Sequence, residues 1–266
     1  MGKKTATIKK KAGRRSTAKK RPKKKGSNAR AGAIGKGVST RPGPIDTGES
    51  LKQRRTRAGR IVRALKKAYG PVDCALNHKS ALQLLIATIL SAQSTDENVN
   101  RVTPGLWKKY GGPSDFADAP TEQLEADIRS TGFFRQKTKS IQGACRIILD
   151  QFGGQVPDNM DDLLKLPGVA RKTANVVLGT WFGRNDGVVV DTHVGRLAQR
   201  MGLTWTGRDD KDAPKIETDL MEILPQKEWT YFSHAMIRHG RAVCSARKPE
   251  CGSCILADLC PSAGAF

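Results

Sequence analysis

The chain has 266 residues and a formal net charge of +22, and residues 1–50 hold sixteen Lys and Arg against only Asp46 and Glu49. That segment carries a net of +14 and the remainder +8, so both parts suit a polyanion, because each cation that meets a phosphate releases condensed counterions. The same reading excludes a membrane span, since no run of about 18 apolar residues occurs, and a secretory signal, since the basic N-terminus lacks an apolar stretch.

Residues 1–51 are rich in Lys, Arg, Gly, Ala, Ser and Thr, with almost no large apolar side chain. Such a segment cannot bury enough surface to offset its chain entropy and is expected to be a disordered basic tail. From Leu51 onward the pattern is helical. Residues 80–92 place Leu82, Leu85, Ile86, Ile89 and Leu90 on one face, and residues 139–152 do the same with Ile141, Cys145, Ile148, Leu149 and Phe152. Further amphipathic runs lie near 60–69, 121–130, 161–166, 172–182, 215–224 and 230–240, separated by Gly70-Pro71, Gly111-Gly112-Pro113, Gly153-Gly154, Pro167-Gly168 and Gly183. Only Val188-Val189-Val190 has strand character, and three residues cannot make a sheet. The expected fold is all-α.

Within residues 161–181, DDLLKLPGVARKTANVVLGTW, a short helix meets Pro167-Gly168 and a second helix starts near Ala170. The first-turn N–H groups of that second helix lack intrahelical partners and sit at the positive end of the helix dipole. An ordinary helical turn would read the same way, but the arrangement also suits a DNA phosphate held without base readout. Lys172 falls in this first turn, where the dipole and Arg171 both disfavour an ammonium. Partial burial would complete the conditions for a nucleophilic amine. Downstream, Asp191 precedes a helix starting near Thr192 and reads as its N-cap; His193 reads as a structural histidine.

Four of the six cysteines, Cys244, Cys251, Cys254 and Cys260, form C-x6-C-x2-C-x5-C. That clustering points to metal ligation in a reducing compartment rather than to disulfides. Zinc is one candidate, but zinc modules generally use two separated pairs. A compact loop around an iron–sulfur cubane fits a single close pair with unequal flanks better. Cys74 and Cys145 read as small buried hydrophobes.

LPGVARKTANVVL followed by VVVDTHV resembles the active-site region of the endonuclease III family, within the helix–hairpin–helix DNA glycosylase superfamily. The resemblance runs over residues 52–261. It implies two helical domains with DNA in the cleft between them: a six-helix barrel of residues 74–184 with the hairpin, and a domain of residues 52–73 and 185–266 around a [4Fe–4S] cluster held by the four cysteines. It implies a glycosylase with abasic-site lyase activity on oxidised pyrimidines in duplex DNA. Lys172 would attack the sugar with assistance from Asp191. Gly168, Val169, Ala170 and Arg171 would face phosphate, as would Arg247 and Lys248 on the cluster loop. SAQSTD matches an element whose glutamine, here Gln93, fills the stack vacated by a flipped nucleotide, and Phe133 of Gly132-Phe133-Phe134-Arg135 would wedge beside the orphan base. Phe134 reads equally well as part of the core. Where the family usually has glycine this chain has Ala170, which costs nothing if the position already lies in the helix. A monomeric enzyme in the bacterial cytoplasm, at the nucleoid, is expected. The run KKRPKKK at residues 19–25 would also serve as a nuclear address.

Overall fold

The computed structural model of the chain describes residues 45–207 and 212–265, besides Gly2. The expected disorder of residues 3–44 falls outside them. Residues 45–51, which composition assigns to the tail, are part of the folded body. The Arg57 guanidinium donates through Nε to the Glu49 carboxylate at 2.8 Å and through Nη1 to the Leu259 carbonyl at 3.2 Å. Composition failed here because polar contacts, not apolar burial, hold this stretch.

Among the described residues there are eleven α-helices and no strand. Helix α1 (Leu51–Tyr69) is opened by a reciprocal cap in which the Ser50 hydroxyl accepts from the Gln53 N–H and the Gln53 side chain accepts from the Ser50 N–H. Then come α2 (Ala81–Ser91), α3 (Asp96–Lys109), α4 (Pro113–Asp118), α5 (Thr121–Ile128), α6 (Phe134–Phe152), α7 (Met160–Leu163) and α8 (Arg171–Thr180), followed by α9 (Thr192–Arg200), α10 (Ala213–Ile223) and α11 (Trp229–Ala242). Among these, no helix is long and apolar enough to cross a membrane.

Helices α3 and α4 were not legible in the apolar periodicity. Helix α3 carries Pro104 in its interior and buries only Val99, Thr103 and Leu106, so its apolar stripe is thin. Helix α2 is apolar nearly all round: Leu84 and Ala87 are buried along with Leu85, Ile86, Ile89 and Leu90 of the predicted face, while Leu82 is partly buried. Such a helix sits inside a core rather than on its surface.

The buried apolar side chains form two groups. One gathers α2, α3, α5, α6 and α8 around Leu84, Leu90, Leu124, Ile141 and Val177. The other gathers α1, α9, α10 and α11 around Ile61, Leu65, Leu197, Leu220 and Phe232. Residues 188–190 run between them, and their side chains alternate: Val188 and Val190 enter the second group while Val189 enters the first. The strand-like triplet is thus a seam shared by two cores. Each fully buried Leu or Ile contributes about 1.5–3 kcal/mol, enough to hold rigidly whatever is attached to either side.

Candidate active site and cluster loop

The hairpin is set by one glycine. Gly168 has φ +79°, and a Cβ there would lie 2.7 Å from Ser140 Cβ on α6. A left-handed conformation and a close approach therefore both demand glycine. Ala170 is not helical, contrary to the expectation. It is the residue before α8, extended at φ −93° and ψ 170°, and its side chain makes no capping bond. Its negative φ means alanine is unstrained there all the same. The Val169 side chain is core, and its N–H is committed to the Leu166 carbonyl at 3.1 Å. The first helical bond of α8 runs from Ala174 N–H to the Ala170 carbonyl, which leaves the N–H groups of Arg171, Lys172 and Thr173 directed out of the helix N-terminus.

The Arg171 guanidinium is held by Glu217 of α10, with Nε 3.0 Å from Oε2, and Asn175 donates to the other oxygen of the same carboxylate at 2.8 Å. This pair ties the hairpin to the second core. It also means that Arg171 can meet a phosphate through its backbone more readily than through its side chain.

Lys172 and Asp191 line one cleft of ≈ 690 Å³ between the two apolar groups, a volume in the range of ligand sites. Lys172 is exposed, so burial within the chain does not supply the condition that a nucleophilic amine would need. Asp191 caps α9: its Oδ1 accepts from the His193 N–H at 2.9 Å and the Val194 N–H at 2.8 Å. Both bonds fall on one oxygen, so the other is left for the cleft. His193 is half-buried, with its Nδ1 3.2 Å from Arg196 Nη2, and burial pulls its pKa below the usual imidazole value.

Several lining residues escaped the sequence reading. His234, Arg238 and Arg241 stand on one face of α11 and contribute to the wall, as do Asp73 and Cys74. The i, i+4, i+7 spacing puts the three on one face of α11, but that pattern alone does not separate a cleft wall from a solvated face. Arg241 donates to Asp96 at 2.7 Å, which spans the cleft from α11 to the start of α3. His234 is buried, with its Nε2 3.1 Å from the Thr180 hydroxyl, and burial lowers its pKa. Cys74, expected to be a buried hydrophobe, is only half-buried and faces the cleft; burial pushes its thiol up to about 11. Cys145 does sit in the core.

Gln93 and Phe133 are exposed, and they are the two non-glycine residues with left-handed backbone among the described residues, at φ 54° and 47°. Phe133 is 65% exposed, whereas Phe134 packs on the core with Arg129 stacked over its ring at 5.0 Å. The aromatic pair is therefore divided, one ring outward and one inward.

Cys244, Cys251, Cys254 and Cys260 line a common cavity in the C-terminal loop. Arg200 Nη1 lies 3.2 Å from Cys244 Sγ, and His239 Nε2 lies 3.4 Å from Cys254 Sγ. Burial, aided by the neighbouring cysteines, holds the Cys254 and Cys260 thiols above their usual pKa. A bound cation reverses this by stabilising thiolate. Four cysteine thiols on one cavity are the donor set of a multi-iron cluster held with one thiolate per iron. Arg247 and Lys248 are exposed on the same loop.

Residues 86–226 match the HhH-GPD superfamily of base excision DNA repair proteins, and residues 244–260 match the iron–sulfur binding domain of endonuclease III. Endonuclease III of Synechocystis sp. is 54% identical over 215 residues, covering 81% of this chain and 96% of the relative. That of Escherichia coli K12 is 40% identical over 185 residues, covering 70% and 85%. The structure is similar to a non-covalent endonuclease III–DNA complex, with TM-score 0.73, 41% identity, and 82% and 98% of the two chains covered. A trapped covalent endonuclease III–DNA intermediate gives TM-score 0.73 at 40% identity, with the same coverage.

Proposed function

The chain belongs to the endonuclease III family of helix–hairpin–helix DNA glycosylases, and on that premise we propose that it excises oxidised pyrimidines from duplex DNA and nicks the strand at the resulting abasic site. The observation that carries the reading is one cleft bearing Lys172 at the N-terminus of α8 and Asp191 at the N-terminus of α9. One supplies an amine and the other a fixed negative charge.

The chemistry follows from those two groups. The Lys172 amine attacks C1′ of the extruded nucleotide, and the bond from C1′ to the base breaks, with the base taking the electron pair and then a proton. Asp191 stabilises the positive charge that develops on the sugar. Ring opening gives an iminium between Nζ and C1′. Loss of a C2′ proton then expels the 3′ phosphate by β-elimination, and water hydrolyses the imine to restore the lysine. Lys172 is exposed at the cleft, so DNA closing over it would exclude water from the reacting groups.

The duplex lies across two lobes, residues 74–184 and residues 52–73 with 185–266, and Gln93 and Phe133 enter the stack from the first. Gly168, Ala170 and Arg171 meet phosphate through backbone, Val169 only holds the turn because its N–H is already bonded to the Leu166 carbonyl, and Arg247 and Lys248 meet it through side chains. Cys244, Cys251, Cys254 and Cys260 would hold the [4Fe–4S] cluster through their thiolates, and the iron would cross-link the loop carrying Arg247 and Lys248. The bacterial origin of the relatives supports action in a bacterial cytoplasm.

Borohydride reduction on a duplex with an abasic site tests the mechanism. The protein should form a covalent adduct, and Lys172→Gln should abolish it while duplex binding persists. An undiminished adduct in that variant overturns the assignment.

A further inference from the structure

Lys137 is a buried ammonium that the reaction does not use. It lies in the first turn of α6, is 5% exposed, and its Nζ donates to two backbone carbonyls: Leu90 at 2.7 Å and Thr131 at 2.8 Å. No carboxylate is bonded to it. Burying a cation among neutral groups is costly, so its position calls for a reason.

The two acceptors supply one. Leu90 closes α2 three residues before Gln93, and Thr131 ends a short 3-10 turn two residues before Phe133. The Lys137 backbone N–H also donates to the Phe133 carbonyl at 3.0 Å. One residue therefore grips the base of both exposed loops whose tips have left-handed backbone. A second tie runs alongside: Asn98 Nδ2 donates to the Ser94 hydroxyl at 3.0 Å and to the Ser130 carbonyl at 2.9 Å. Strained backbone persists only where the surroundings over-determine it, and two hydrogen bonds from one buried side chain to the bases of both loops do that here.

We propose that Lys137, with Asn98 as a second tie, is a positioning residue that joins the Gln93 and Phe133 loops into one rigid two-pronged element, so that both side chains enter the duplex together. This rests on the reading of Gln93 and Phe133 as insertion residues. A free loop would have to be ordered at the moment of insertion, whereas a clamped pair meets that cost on folding. Separately mobile prongs would fill the gap in two steps, and the nucleotide would fall back between them.

The test uses the full-length, cluster-loaded protein on a duplex carrying one oxidised pyrimidine, with 2-aminopurine in the opposite strand to report unstacking. Lys137→Met should slow opening and lower kcat/KM by roughly 10- to 100-fold, the penalty of a small misplacement. The same lesion inside an unpaired bubble should be processed nearly as by the parent, since it is already unstacked. Asn98→Ala leaves the buried ammonium in place and should act in the same direction more weakly; it decides the matter if Lys137→Met does not fold. In the parent the effects of Gln93→Ala and Phe133→Ala should be coupled, and in Lys137→Met they should become independent. Equal losses on paired and bubble substrates, or no loss, overturn the clamp. If Gln93→Ala and Phe133→Ala slow opening while the clamp variants do not, the clamp falls and insertion stands. If neither prong variant affects the paired duplex, the insertion reading itself falls.

Discussion

The hairpin helix α8 and the cluster loop line two separate cavities, and they are held by different means. Gly168 and Ala170 lie in the turn between α7 and α8, Lys172 lies on α8, and the side chains beneath them are core: Leu163, Leu166, Ala174 and Val177 are all buried. The loop of residues 244–260 has little of this. It contains only short 3-10 turns, and Leu256 is its one fully buried apolar side chain. Polar bonds substitute for a core: Arg200 donates to the Ser245 and Ala246 carbonyls at 2.7 and 2.8 Å, and Arg196 to the Gly240 and Cys244 carbonyls at 2.9 Å. The hairpin is thus rigid through apolar packing, whereas the cluster loop needs its ligands. The two surfaces offered to DNA should therefore fail independently.

The largest effect is expected from Cys254→Ser. Loss of one thiolate should remove the visible iron–sulfur absorbance and open residues 244–260 to protease, while the segment around α2, α6 and α8 stays protected from hydrogen exchange. With Arg247 and Lys248 no longer placed, the log–log salt dependence of duplex binding should flatten by roughly two. Simultaneous loss of protection in both regions would break the comparison. A smaller effect belongs to the hairpin. Gly168→Ala forces a left-handed alanine against Ser140 and should cost about 2–4 kcal/mol in denaturant unfolding. Ala170→Gly should fall within about 0.5 kcal/mol, because the gain of glycine as a cap offsets its entropy. Similar costs at both positions would mean that packing against α6 does not set the hairpin.

The contrast also explains what the sequence could and could not disclose. The hairpin was legible because a turn glycine between two apolar periodicities is local information. The cluster ligands were legible because four cysteines in seventeen residues leave few alternatives. The wall of the cleft was not legible: His234, Arg238 and Arg241 join Lys172 only when two cores pack together, and their spacing on α11 fits a solvated face equally well. Glu217 was missed for the same reason, since its partner Arg171 lies 46 positions away. Helix α3 was hidden by an internal proline. Lys137 could not have been found at all, because a lysine in a charged stretch, FFRQKTK, gives no sign that its tip meets two distant carbonyls.

Lys137 also provides the finest probe of how the first lobe is held. Desolvation by burial, with no acid to compensate, pulls its pKa from the ordinary lysine value down to about 8. Below pH 8 the ammonium is present in both folded and unfolded chains, and the cost of burying it is fully in force. Between about 8 and the unfolded value of 10.5 the folded chain has released the proton and the unfolded chain still binds it, so stability rises with pH; above that window the curve is flat again. One proton limits the slope to about 1.4 kcal/mol per pH unit. Other groups titrate in the same range, so the quantity to measure is the difference between the parent and Lys137→Met in urea unfolding from pH 7 to 10, where the parent alone should gain. The neutral amine still has two hydrogens for the Leu90 and Thr131 carbonyls, so the gain in stability should leave the opening rate of lesion-bearing duplex unchanged across pH 8. A fall in that rate parallel to the titration would show that the charge, rather than the pair of hydrogen bonds, holds the two loops.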